Sequence, residues 1–513
     1  MKPRHIAYII WTIIVLLGVV CLLVPDDGFS LGQYTLRWPT LAEALDLQED
    51  TIQRDDFGFA DDSLPVEIDT TGVSAAGHVA EQDTATLTDT IQKKSQPVIP
   101  NVDIVNTDLR SYLSAFYAAL DSAATMPVRV VHYGDSQIEE DRITNVLRER
   151  WQKLYGGGGV GLIPLHQTIP TRTIRQWLSI NGVVQSAQGG PKRYLIYGPR
   201  SMRLDSDDYG PMGQVALMDS TLVPGSEDLV VNIEPIDNKR HPHNYFNRIR
   251  LLTDSVSGYI IAQDTILLHT TPHSSTLHDT TPHSTTLHHT TPHSSTLHDT
   301  TPYSSTLHYT LPDSTTRCEL HMQGRGHIYG LSLETPTGVI VDNIPMRGCS
   351  GNIFTKVDSA QLSDFYRDTN TRLIILQFGG NMIPQTENPS TISGYVRSTL
   401  RQQIRYIRAC APQASILFIG PSDMSTRIDG EMTTYPLVPY MDKLLRKMAA
   451  EEHIAYWSMY DAMGGHDSMV HWVEIGLAGS DYVHFTRSGA NKVGRMLYDW
   501  LMSPLPLTPA SNL

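Results

Sequence analysis

Three short segments carry the residue types that nucleophilic acyl transfer needs. Residues 132–137 read HYGDSQ, residues 378–381 read FGGN, and residues 481–489 read DYVHFTRSG. Such chemistry requires a hydroxyl nucleophile, a base to take its proton, an acid to orient the base, and donors for the tetrahedral oxyanion. Ser136 supplies a hydroxyl on a tight GDS turn, where its backbone N–H can also face a carbonyl oxygen. His484 follows Asp481 by three residues, so the carboxylate can fold back onto one imidazole nitrogen and leave the other free. Asn381 adds a side-chain amide and Gly348, within PMRGCSG, a second backbone N–H.

Each feature has an ordinary alternative. Asp and Ser suit a helix N-cap ahead of Thr144 equally well. The D-x-x-H pair can be a capping arrangement with an incidental histidine, and Asn and Gly are common loop residues. What unites them is position, because each lies next to an element that the apolar periodicity defines. A strand at 128–131 runs into Gly134, and a helix follows at 144–155, with Val146, Leu147, Trp151 and Leu154 on one side. The alternation resumes with a strand at 339–344, a helix at 358–367, a strand at 372–378 and a helix at 392–410. A strand at 416–419, a helix at 438–451, a short strand near Ile454 and a last helix at 488–500 complete it. Alternating strands and helices predict an α/β fold, a parallel sheet covered on both faces. Sites in such sheets lie beyond the carboxyl ends of the strands, where all three segments fall.

Residues 166–336 have a different texture, with runs such as DLVVNIEPI and FNRIRLLTD between turn residues. They predict an inserted antiparallel β-sandwich. It contains a ten-residue repeat at 271–310, beginning TPHSSTLHDT, read as the expansion of a hairpin loop. Its histidines invite metal binding, but they alternate at five-residue spacing without carboxylates in a ligand pattern, which favours a solvated loop.

Composition excludes one class of partner. The 513 residues carry 39 basic and 54 acidic side chains, a formal charge of −15, which argues against nucleic acid as a ligand. Residues 6–24 are uncharged and apolar, about long enough to span a bilayer. Lys2 and Arg4 before them, and Asp26 and Asp27 after, orient a single inner-membrane anchor with a cytoplasmic end at 1–5 and the remainder in the periplasm. A cleaved signal peptide is the alternative, although no small-x-small site follows Leu23. Residues 25–100 read as a flexible acidic linker. Cys318, Cys349 and Cys410, an odd number without a C-x-x-C pair, read as buried thiols.

The ordered blocks resemble the SGNH hydrolase family, also called GDSL esterases, over residues 101–165 and 337–507. The resemblance implies a flavodoxin-like three-layer α/β/α domain interrupted by the insert. It also implies Ser136 as nucleophile, His484 as base and Asp481 as its partner, with Gly348, Asn381 and Ser136 as oxyanion donors. Gly351 is the alternative to Gly348, and the family's usual GDSL reads GDSQ here. The insert and the export signal look like those of peptidoglycan O-acetylesterases, whose inserted domain resembles a carbohydrate-binding module. That implies an O-acetylated glycan as substrate and neither a metal nor an organic cofactor. Trp472, in the 461–472 stretch read as a loop, is a candidate for stacking on a sugar, or else a core tryptophan. An O-acetyltransferase using the same triad and a non-catalytic glycan-binding protein are the competing functions.

Overall fold

The parallel sheet is built on Pro127–Gly134 (β1), which carries Val128, Val130 and Val131 and is buried along almost its whole length, as a central parallel strand requires. The computed structural model describes residues 29–31, 34–36, 99–102, 108–186, 190–218, 229–236, 241–254, 256–262, 265–269 and 305–503. β1 pairs in parallel with Gly338–Pro345 (β2) on one side and Thr371–Gln377 (β3) on the other. Ser415–Ile419 (β4) and Ala455–Trp457 (β5) extend the sheet to the order β2-β1-β3-β4-β5. This 2-1-3-4-5 order is that of flavodoxin-like sheets, whose topological switch lies between β1 and β3.

Period-two alternation sends side chains to both faces. Val128, Val130, Val341, Ile375 and Leu417 pack under Leu147 and Trp151 of helix α1 (Thr144–Tyr155) and under Val493 and Leu497 of the final helix, Arg487–Met502. Val131, Tyr133, Ile374, Leu376 and Phe418 face α2 (Ser359–Asp368), α3 (Arg401–Cys410) and α4 (Val438–Glu451). The helical stretch leading into α3 starts earlier than the periodicity suggests, at Pro389–Gly394. There Asn388 accepts from Ser390 N–H and proline opens the first turn.

The insert forms two antiparallel sheets. One has the order Ser305–Thr315, Phe246–Thr253, Gly326–Glu334, Gln214–Met218, Lys192–Leu195, and the other runs from Thr265–His269 through Ser257–Ala262, Cys318–Gln323 and Leu229–Pro235 to Ile174–Ile180 and Val183–Val184. Ile249, Leu251, Ile328 and Leu331 from the first share a core with Leu178, Val231, Leu320 and Met322 from the second. Gly161–Ile163, expected inside the α/β part, pairs with Gly326–Glu334, so sandwich pairing begins before residue 166. The strands flanking the repeat, Thr265–His269 and Ser305–Thr315, belong to different sheets. The expected hairpin loop falls on residues 270–304, which lie outside the described residues, and residues 305–310 of the repeat belong to the strand Ser305–Thr315.

A buried ionic cluster joins the two architectures. Arg129 on β1 is fully buried and donates from Nη1 to both oxygens of Asp342 on β2, at 2.6 and 2.8 Å, and from Nη2 to Ser332 Oγ at 3.1 Å. Its Nη2 also pairs with Glu334, which binds Arg248 and Arg250 as well. Burial works to raise the Glu334 carboxyl, but the three guanidinium groups outweigh it and hold the group down at about 2.

Residues 1–92 form a separate unit, in which Phe29–Leu31 and Tyr34–Leu36 make an antiparallel pair within the stretch expected as linker. The expected anchor at 6–24 lies outside the described residues. Among the described residues no helix is long and apolar enough to cross a membrane. Cys318, Cys349 and Cys410 are buried free thiols.

Candidate active site

Gly134 ends β1 with almost no room for a side chain, since a Cβ there would lie 3.0 Å from Ile138 Cδ1 and 3.3 Å from Gln377 Cβ. The chain turns at once into a short 3-10 segment, Ser136–Asp141. Asp135, not Ser136, caps that turn, with Oδ1 accepting from Gln137 N–H at 3.0 Å. The Ser136 hydroxyl is thereby left for another partner, and it lies 2.9 Å from His484 Nε2. The other ring nitrogen, Nδ1, is 2.7 Å from Asp481 Oδ2. An imidazole hydrogen-bonded in this way can take the hydroxyl proton as the oxygen attacks, while the carboxylate stabilises the imidazolium that results.

The loop carrying this histidine is fixed from several directions. Asp481 Oδ1 accepts from the backbone N–H groups of Val483 and His484, both at 3.0 Å. Gln137 donates to Val483 O at 2.7 Å, and Ser425 N–H donates to Tyr482 O at 3.1 Å. Burial works to raise the Asp481 carboxyl, yet the hydrogen bonds from the His484 ring and from both backbone donors hold it far below the usual carboxylate range. Thr486 then caps the last helix by accepting from Gly489 N–H. Gly489 itself is required by close packing, because a Cβ would meet the backbone oxygen of Leu477 at 1.8 Å. His484 is 32% exposed along its side chain, so the dyad opens to solvent.

The oxyanion candidates gather around the same turn. Met346 N–H donates to Gly134 O at 2.7 Å, which places the loop after β2 beside the Ser136 turn. Asn381 sits after β3 and its amide nitrogen is shared between Cys349 O at 3.1 Å and Asp135 Oδ2 at 3.3 Å. Asp135 is buried, and the resulting desolvation pushes its carboxyl up to about 6. Gly348 has φ of +72° and open space where a Cβ would stand. Gly351, by contrast, donates its N–H to Cys349 Sγ at 3.3 Å, and a Cβ there would press on the Phe378 ring at 2.8 Å.

Trp472 does not join this group. The 461–472 stretch is helical at both ends, in Met459–Met463 and in α5 (Ser468–Glu474), and Trp472 is 2% exposed. Its indole donates to Met463 O at 3.1 Å and its ring packs on Phe485, so it offers no face to a sugar. It belongs to the core beneath the histidine loop.

Two contributions were missed from sequence. Gln137, standing where the family pattern has leucine, ties the serine turn to the histidine loop through Val483. The insert also braces the turn: Glu140 and Asp141 hold φ of +60° and +62°, conformations costly for non-glycine residues. Arg172 binds Glu140 Oε2 at 3.0 and 3.1 Å, and Thr173 donates to Asp141 at 3.2 Å. No spacing rule could have signalled these pairs, which are 32 residues apart and lie in different architectures. Among the described residues no group of His, Cys, Asp and Glu is arranged to hold a metal.

A serine, histidine and aspartate in hydrogen-bonded series at the carboxyl edge of a 2-1-3-4-5 parallel sheet are the groups that a serine ester hydrolase uses. Residues 313–492 match the GDSL-like lipase/acylhydrolase family, so this stretch is a GDSL-like lipase/acylhydrolase domain. The match takes in Gly348, Asn381, Asp481 and His484, and Ser136 precedes it. No curated protein matches the chain. Among solved structures, a peptidoglycan O-acetylesterase superimposes with a TM-score of 0.55 at 19% identity, covering 77% of this chain and 97% of that one. An acetyl xylan esterase covers 32% of this chain and 82% of its own, at 12% identity and a TM-score of 0.25. The periplasmic domain of a lipopolysaccharide acetyltransferase from Salmonella ser. Paratyphi A covers 32% of this chain and 72% of its own, at 13% identity and a TM-score of 0.23.

Proposed function

We propose that the chain removes O-acetyl groups from a cell-envelope carbohydrate, with peptidoglycan as the substrate, through an acetyl-serine intermediate. The observation that carries this reading is the unbroken relay from Ser136 Oγ to His484 Nε2 and from Nδ1 to Asp481. Ser136 attacks the acetyl carbonyl while His484 takes its proton, and His484 returns that proton to the departing sugar oxygen. Water, deprotonated by the same ring, then releases acetate.

The tetrahedral oxyanion is received by the N–H groups of Ser136 and Gly348 and by the Asn381 amide, which turns from its longer bond with Asp135. Support for Gly348 over Gly351 comes from the open space beside the first and the occupied N–H of the second. The acetyl-sugar assignment rests on the sequence resemblance and on the fold shared with a peptidoglycan O-acetylesterase.

Acetate release from O-acetylated peptidoglycan by the full chain, beside Ser136→Ala, tests the reading. Loss of turnover by about 10⁴-fold or more in the variant is expected. Activity retained in Ser136→Ala would remove the serine from the mechanism, and cleavage of small acetyl esters alone would remove peptidoglycan.

We also propose that residues 6–24 hold the protein in an inner membrane with the esterase on the periplasmic side, on the strength of their length and flanking charges. The full chain should then sediment with membranes and stay there after a high-salt wash. Release into the soluble periplasmic fraction with the segment missing would mark it as a cleaved signal.

A further inference from the structure

We infer that Gln137 is a positioning residue for both acyl-transfer steps: its side-chain amide holds the His484 loop at the reach Ser136 needs, at a cost in stability that the leucine of the family pattern would not carry. The inference rests on the esterase reading above and adds to it the residue that sets the distance between nucleophile and base.

Gln137 follows Ser136 directly, and its own backbone is fixed to the sheet. Its N–H donates to Asp135 Oδ1 at 3.0 Å, and Asp135 N–H donates to Gln377 O at the end of β3 at 3.3 Å. From this anchored position Nε2 donates to Val483 O at 2.7 Å and lies 3.4 Å from Ser422 Oγ, just beyond β4. Val483 precedes His484, so one side chain links the neighbour of the nucleophile to the neighbour of the base.

Two successive peptide groups of the histidine loop are each bonded at both ends. In the first, Tyr482 O accepts from Ser425 N–H and Val483 N–H donates to Asp481 Oδ1. In the second, Val483 O accepts from Gln137 and His484 N–H donates to Asp481 Oδ1. Tyr482 holds φ of +57°, a conformation that a non-glycine residue keeps only where its surroundings impose it. Without Gln137 the peptide that carries His484 is held at the Asp481 end alone. A shift of that peptide acts directly on the 2.9 Å contact between His484 Nε2 and the Ser136 hydroxyl. Misplacement by about 1 Å can cost on the order of a hundredfold in rate.

Core filling does not account for a glutamine at this place. Gln137 is 7% exposed, and its Oε1 is buried without a hydrogen-bond partner. Turning the amide over gives no relief, because it would set Oε1 against Val483 O, two acceptors in contact. A stranded buried acceptor lowers stability, and an apolar side chain of similar size avoids that loss. The bond to Val483 is what the amide supplies and leucine cannot.

The test uses the full chain with 4-nitrophenyl acetate and with O-acetylated peptidoglycan. Gln137→Met and Gln137→Leu should lower kcat roughly ten- to a hundredfold on both substrates, with KM changed less than about twofold, because the buried amide touches no substrate. Their melting temperatures should stay within about 3 °C of wild type or rise, since the lost bond is offset by removal of the stranded acceptor. On an Asp481→Asn background, where the relay is already broken, Gln137→Met should cost less than about threefold. A kcat within twofold of wild type in Gln137→Met, or the full ten- to hundredfold loss repeated on the Asp481→Asn background, would overturn the inference. If the wild type hydrolyses neither substrate, the esterase reading fails first. Hydrogen exchange of the Val483 and His484 amides then decides the tie: exchange at least about tenfold faster in Gln137→Met supports it, and equal exchange overturns it.

Discussion

Asp481→Asn is expected to lower kcat for ester hydrolysis by about 10⁴-fold while the chain stays folded. The carboxylate does two jobs: Oδ1 holds the Val483 and His484 N–H groups, and Oδ2 holds the imidazole Nδ1 proton. Asparagine can keep its oxygen on the backbone donors, but its amide nitrogen then faces Nδ1 and favours the tautomer that carries its proton on Nε2. That tautomer cannot accept from Ser136, and the change in comparable triads is of this size. The pH dependence of stability follows from the same bonds. The folded carboxyl lies below its unfolded value of ~3.9, so its contribution is complete above that value and is lost as pH falls through the folded one. Urea unfolding should therefore show a constant gap between wild type and Asp481→Asn above about pH 4, narrowing at lower pH. A kcat within tenfold of wild type would take Asp481 out of the relay.

The second large effect is on stability. Arg129→Leu should cost about 3–5 kcal/mol, because it leaves Asp342 and part of the charge on Glu334 buried without their partner. The arginine spans β1, β2 and the last strand of the insert, so the loss should also loosen the sandwich against the sheet. Denaturant midpoints measure the first effect, and hydrogen exchange across Gly326–Glu334 measures the second. Combining Arg129→Leu with Asp342→Asn should recover a substantial part of the loss, since the stranded Asp342 charge is removed while Glu334 keeps Arg248 and Arg250. A shift below 1 kcal/mol for Arg129→Leu alone would mean that the remaining arginines suffice.

The parallel sheet was legible because its strands are buried on both faces and appear as short apolar runs, unbroken in LIIL at 373–376 and interrupted only by Arg129 in VRVV at 128–131. The placement of Ser136, Asn381 and the Asp481–His484 pair was legible for a related reason: each is next to a regular element whose period marks where it begins or ends. Of the two readings of Trp472 the core tryptophan holds, because the stretch read as a loop is helical from Ser468 and turns the indole inward. That the strands on either side of residues 270–304 join different sheets was not legible, because strand pairing across a long interval leaves no local pattern. The antiparallel pair Ser425–Ile428 and Glu431–Thr434, whose first residue holds Tyr482 O, went unnoticed because its strands are only four residues long. Arg172 and Thr173 were invisible for a deeper reason, since only tertiary packing brings an insert to the turn it interrupts.

The insertion point also sets the order in which the chain can become active. β1 and β2 are neighbours in the sheet, yet Arg129 and Asp342 are separated by 213 positions, and Ser136 and His484 by 348. During synthesis β1 emerges with neither of its partner strands available and must wait while the whole insert is translated. The sandwich, whose pairings lie between residues 161 and 334, can form in that interval and draw its two ends together. This shortens the loop that the parallel pairing has to close, the step that otherwise makes such topologies slow. In this view the insert is a folding clamp as well as a brace on the Ser136 turn, and the meeting of Ser136 with His484 is the last contact the nascent chain acquires.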